Sequence, residues 1–114
     1  MKIVNAFLAT LLLAVGSASA GELYTMPIET SASSYCTILN VGPTPIWTRI
    51  EYRGILGAII KFKQQKDNPS EANSLTLDPG VGYCAFFFDG SPKHVRAGIY
   101  TSHEGITHLA TYAK

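Results

Sequence analysis

The chain has 114 residues, with nine Lys plus Arg against eight Asp plus Glu, three His and two Cys. That length holds one small domain. The near-zero charge excludes a nucleic-acid binder, whose affinity rests on a basic patch that neutralises phosphates.

The first element in chain order is a leader. Lys2 precedes an apolar stretch over 3–15, broken by Asn5 and Thr10, and Ala18-Ser19-Ala20 supplies the small residues that signal peptidase reads. At about 1.5 Å per residue this stretch is too short to cross roughly 30 Å of hydrocarbon as a helix. The expectation is a signal peptide at 1–20, a mature chain of 94 residues from Gly21, and residence in the periplasm or outside the cell. No Cys follows the apolar run, so a lipid anchor is not expected. After Val15 no apolar segment is long enough to span a membrane. Lys2 leaves with the leader, which makes the mature balance eight basic against eight acidic residues.

The remainder reads as short strands punctuated by Gly and Pro. Residues 21–33 form an extended segment or edge strand, with a strand at 22–28, and 34–114 form the main domain. A strand over 34–41 ends at Gly42-Pro43-Thr44-Pro45. Residues 46–53 alternate, with Ile46, Thr48, Ile50 and Tyr52 on one face and Trp47, Arg49, Glu51 and Arg53 on the other. A turn at 54–57 leads to Ala58, Ile60 and Phe62 on one face, with Lys61 and Lys63 opposite. The lysines read as a solvated strand edge. Residues 64–73 read as one long polar connection, mobile by default. Leu75 and Leu77 mark a brief strand closed by Asp78-Pro79-Gly80. Cys84, Phe86 and Phe88 share a face before the turn Asp89-Gly90-Ser91-Pro92. Val95, Ala97 and Ile99 alternate with Arg96, Gly98 and Tyr100, and a hairpin turn at 102–105 precedes a last strand over 106–112. Seven strands and an eighth at the N-terminus, spaced near ten residues, predict an all-β fold: a small antiparallel β-sandwich of immunoglobulin-like architecture, or a small barrel.

An even cysteine count in an oxidising compartment predicts a Cys36–Cys84 disulfide. Closing a loop of 48 residues is worth about 4 kcal/mol in chain-entropy terms. With Cys36 inward beside Ile38 and Cys84 inward beside Phe86, the bridge would join two strands in the core. Trp47 follows Cys36 at the distance of an immunoglobulin core Trp, but its alternation with Arg49 and Glu51 turns it outward, because unpaired charges are costly to bury.

Catalysis is not expected. Asp89, Ser91 and His94 are neighbours on one turn and do not converge on a common atom, and no nucleophile elbow or HExxH run is present. His94, His103 and His108 match no metal-ligand spacing, so no metal or cofactor is expected. Trp47, Phe87 and Tyr100 face outward by alternation and are the candidate ligand-binding residues, suited to stacking on a glycan or packing against a protein.

Three stretches carry a resemblance: Tyr35-Cys36-Thr37-Ile38-Leu39-Asn40-Val41-Gly42, Leu77-Asp78-Pro79-Gly80, and Tyr83-Cys84-Ala85-Phe86-Phe87-Phe88 continuing to Val95-Arg96-Ala97. Together they resemble a loose group of small secreted bacterial β-sandwich proteins that share an early Cys followed by an Asn, a Leu-x-Pro-Gly turn and a Tyr-Cys-x-Phe strand leading to Arg-Ala. The chain departs from that pattern by having only Val81 and Gly82 before Tyr83, where another strand is usual. The resemblance implies fold, disulfide and export, and no activity. The expected function is therefore an exported, non-enzymatic binding or interaction module for a protein or glycan. The alternatives are a structural subunit pairing through sheet edges, and a small hydrolase or an inhibitor of one.

Overall fold

The computed structural model describes residues 20–114, so the expected leader lies outside the described residues apart from Ala20. Two antiparallel sheets pack face to face. The first contains β1 (Ala20–Tyr24), β2 (Ile28–Thr30), β4 (Ile46–Gly54), β5 (Ile59–Asp67) and β7 (Gly80–Asp89), in the order β1-β7-β4-β5 with β2 also on β7. The second contains β3 (Ser34–Asn40), β6 (Ala72–Thr76), β8 (Val95–His103) and β9 (Ile106–Tyr112), in the order β6-β3-β8-β9. The fold is the all-β sandwich that the strand spacing predicts. A 3-10 turn at Pro92–His94 is the helical element among the described residues, and no helix there is long and apolar enough to cross a membrane. His94 sits in that turn.

Alternation decides what is buried. Cys36 and Ile38 on β3, Ile50 and Tyr52 on β4, Cys84, Phe86 and Phe88 on β7, and Ala97 and Ile99 on β8 point between the sheets. The Cys36–Cys84 disulfide crosses this layer, with the Cα atoms 6.2 Å apart, and joins the two sheets at their centre. Tyr52 is buried with its hydroxyl 3.0 Å from Thr30 Oγ1, so its polar end has a partner inside.

The N-terminal segment is two short strands rather than one. Both run along β7, and the residues between them make the chain step once: Thr25 N–H donates to Cys84 O, and Cys84 N–H returns to Thr25 Oγ1. On the resemblance pattern another strand would precede Tyr83. Here β7 starts directly at Gly80, after the turn.

The long polar connection over 64–73 is overturned. Strand β5 continues to Asp67, and only Asn68-Pro69-Ser70-Glu71 turn the chain, with Ser70 at φ 72° and Glu71 N–H donating to Asn68 O. The polar residues misread as a loop line the seam where β5 and β6 meet. Asp67 is fully buried and accepts from Thr48 Oγ1 at 2.9 Å and Gln65 Nε2 at 2.5 Å. Gln65, Lys63 and Lys61 donate in turn to the carbonyls of Ala72, Ser74 and Thr76 on β6. Lys61 and Lys63 thus tie β5, the edge strand of its sheet, to β6, and Lys63 and Lys66 remain exposed along that edge, as the sequence predicts. Ile60 and Phe62, on the other face of β5, are exposed.

The opposite side of the sandwich is fastened by main chain. Tyr24 and Lys114 exchange both N–H···O bonds, each at 2.9 Å, and Ala113 N–H donates to Ala97 O. Strand β9 reaches this point by a bulge, because Ile99 pairs with Thr111 while Tyr100 pairs with Leu109. Gly98 permits the approach: a Cβ there would lie 2.5 Å from Thr111 O.

Candidate functional site: an aromatic and arginine face

Strand β4 places Trp47, Arg49, Glu51 and Arg53 on the outer face of the first sheet. Across β7 they meet Asp89, Phe87, Ala85 and Tyr83, since Arg49 pairs with Phe87, Glu51 with Ala85 and Arg53 with Tyr83. Across β5, Trp47 meets Lys66, Arg49 meets Gln64 and Glu51 meets Phe62. Glu22 and Tyr24 on β1 extend the face beyond Phe87.

Glu51 organises this surface. It is 6% exposed although it points away from the core, because Ala85 opposite it is small and an arginine closes over it from each side. Arg49 Nε donates to Glu51 Oε2 at 2.7 Å, and Arg53 donates to Oε1 through Nε at 2.9 Å and Nη2 at 2.5 Å. Both guanidiniums are thereby held over aromatic rings: Arg49 Cζ lies 4.2 Å from the centroid of Phe62, and Arg53 Cζ lies 5.6 Å from that of Phe87. Burial alone would lower the Arg53 pKa, but hydrogen bonds with Tyr83 and Glu51 and the Glu51 charge outweigh it and raise it.

Tyr24 meets Phe87 edge to face at 6.3 Å and donates to Glu22 at 2.7 Å. Its pKa is pushed up to about 12, first by burial and then by the hydrogen bond to Glu22 and the Glu22 charge.

The three expected binding residues do not form one site. Trp47 is 50% exposed on this face, with its backbone N–H held by Asp89 Oδ1 at 2.6 Å. Phe87 is on the same face but partly covered by Tyr24 and Arg53. Tyr100 lies on the outer face of the second sheet, across the whole thickness of the sandwich, stacked on Tyr35 at 6.0 Å. The sequence reading missed Phe62 and Tyr24, and it left Glu51 in solvent. The signal was present in the Arg49-x-Glu51-x-Arg53 spacing, which puts one carboxylate between two guanidiniums on a single strand face.

Other candidate groups serve the turns. Asp89 is engaged by Trp47, and Ser91 Oγ accepts from Lys93 N–H at 3.4 Å. His103 and His108 are exposed, and among the described residues no three His, Cys, Asp or Glu side chains gather as metal ligands. An open cleft of about 380 Å³ lies between Tyr24, Thr25 and Met26 on one side and Thr111, Tyr112 and Lys114 on the other. No protein-family model, curated protein or solved structure matches the chain significantly.

Proposed function

We propose that the protein is an exported, non-catalytic interaction module whose outer β4–β5–β7 face binds another protein. The carrying observation is the Arg49–Glu51–Arg53 triad, which fixes two guanidiniums over Phe62 and Phe87 beside a half-exposed Trp47. Arg, Trp and aromatic side chains dominate the energetics of protein interfaces, and side chains already held in place lose little entropy on binding. The surface is a sheet face rather than a concavity, which suits a protein more than a small ligand. The face sets Arg49, Arg53 and Lys66 against Glu51, Glu22 and Asp89, which favours a partner whose apolar patch is rimmed by charges of both signs. The disulfide supports export, because such bridges persist in oxidising compartments.

The test compares wild type with Trp47→Ala and Arg49→Ala as baits in chemical cross-linking of the native periplasmic or extracellular fraction. All three must have equal melting temperatures. A defined partner cross-linked by wild type and lost in both variants supports the reading. A partner retained by both variants, or binding to a glycan array that depends on Trp47, would replace it.

A further inference from the structure

The β4–β5 hairpin is the most apolar exposed segment of the described chain, and the proposed protein-binding face does not explain it. From Gly54 to Ile60 the sequence Gly-Ile-Leu-Gly-Ala-Ile-Ile carries no polar side chain. Leu56 is 96% exposed and Ile55 63%, and Ile59 and Ile60 are also exposed. Val81, one residue beyond the Gly54–Gly82 pair, extends the patch onto β7. Such a contiguous surface on a small domain marks a site of contact with something apolar.

We infer that this hairpin docks the protein onto a lipid bilayer carrying anionic headgroups. Shape is the first argument. Ile55 and Leu56 occupy the apex of a turn, so the apolar surface is convex and suits a deformable acceptor. Backbone polarity is the second. Gly54 N–H donates to Ala58 O at 2.9 Å and Gly57 N–H to Gly54 O at 2.8 Å, with Gly57 at φ 92° to permit the closure. These two bonds close the turn internally and so lower the cost of bringing its backbone to the acyl boundary. Charge is the third. Between Glu51 and Asp67 the chain has four cations and no carboxylate; Arg53 is held by Glu51 and Lys66 stands at the far end of β5 beside Trp47, which leaves Lys61 and Lys63 behind the tip. On neighbouring elements, Asp78 lies 4.0 Å from Lys61, and Glu29 is paired with Val81. Apolar side chains at the tip with cations set behind them are the arrangement by which peripheral proteins bind anionic interfaces.

The test uses the 21–114 protein with vesicles of phosphatidylcholine alone and vesicles containing about one third phosphatidylglycerol. Wild type is expected to float with the anionic vesicles, and added salt should weaken the association. Leu56→Asp should reduce the bound fraction about ten-fold at an unchanged melting temperature, because the side chain makes no packing contact to lose. Trp47 is the lone tryptophan, so Leu56→Trp in a Trp47→Phe background reports the tip directly. Its emission should shift to the blue with anionic vesicles and be quenched by brominated lipid. Failure to float with either vesicle, or equal flotation by Leu56→Asp, overturns the inference. A dimer in solution that Leu56→Asp disperses would instead assign the hairpin to self-association. None of these outcomes depends on the Trp47 and Arg49 cross-linking result.

Discussion

Glu51 and Arg53 form a two-pronged ion pair, with Nε and Nη2 of Arg53 both on Oε1, on the face of the sheet that points away from the core. The carboxylate is nearly as buried as a core residue, while its partners keep part of their surface in water. Glu51→Ala removes the acceptor for both guanidiniums and leaves two like charges close together. We expect a loss of about 1–3 kcal/mol in urea unfolding, below the range for a fully buried pair because the arginines remain partly solvated. A double-mutant cycle with Arg53→Ala isolates the coupling, and additive effects within 0.5 kcal/mol would show that the pair does not act together (roughly the additivity limit for distant sites).

The disulfide predicts a second outcome. Cys36→Ser should lower the unfolding free energy by about 2–4 kcal/mol and leave Cys84 able to form intermolecular bridges once the protein unfolds. Because both sulfurs lie at the centre of the sandwich, Cys84 should resist labelling until the protein unfolds. Labelling of both cysteines in the native, unreduced wild type would refute the bridge.

Tyr24 gives a pH dependence whose sign is fixed. Its folded pKa stands near 12 against an ordinary 10, so the folded state holds the phenolic proton more tightly than the unfolded chain. The stabilisation is complete below pH 10 and fades as pH rises from 10 towards 12. The difference between the ultraviolet titrations of wild type and Tyr24→Phe isolates this phenol, and its midpoint should lie near 12. Glu22→Gln should move the midpoint down without bringing it back to 10, because burial remains.

Much of the architecture was legible in alternation. Ile46, Thr48, Ile50 and Tyr52 announced an inward face, and the spacing of turn residues set the strand boundaries. Glu104-Gly105, both at positive φ, form the tight hairpin expected between β8 and β9. The polar seam was not legible, because Gln65, Asp67 and Asn73 look like loop residues until tertiary pairing supplies their partners, Thr48 on the adjacent strand for Asp67 and the other sheet for Gln65 and Asn73. Asn73 Nδ2 reaches Thr48 Oγ1 at 3.1 Å, a contact between strands of different sheets that no local pattern encodes. The same limit applies to the arginine face. Period two places Arg49, Glu51 and Arg53 together, but Phe62 and Phe87 arrive from β5 and β7, and register is a tertiary fact.

The bond pair between Tyr24 and Lys114 joins the earliest described strand to the last residue. Tyr24 also needs β7, more than fifty positions downstream, before it has any neighbour in its sheet. Folding therefore cannot proceed stepwise from the amino end as the polypeptide emerges. Until Lys114 is in place, β1 lacks its fastening to the other sheet, and most pairings must wait for sequence made much later. The β4–β5 and β8–β9 hairpins can pair as they emerge, but the sandwich they belong to closes only with the last strand in place.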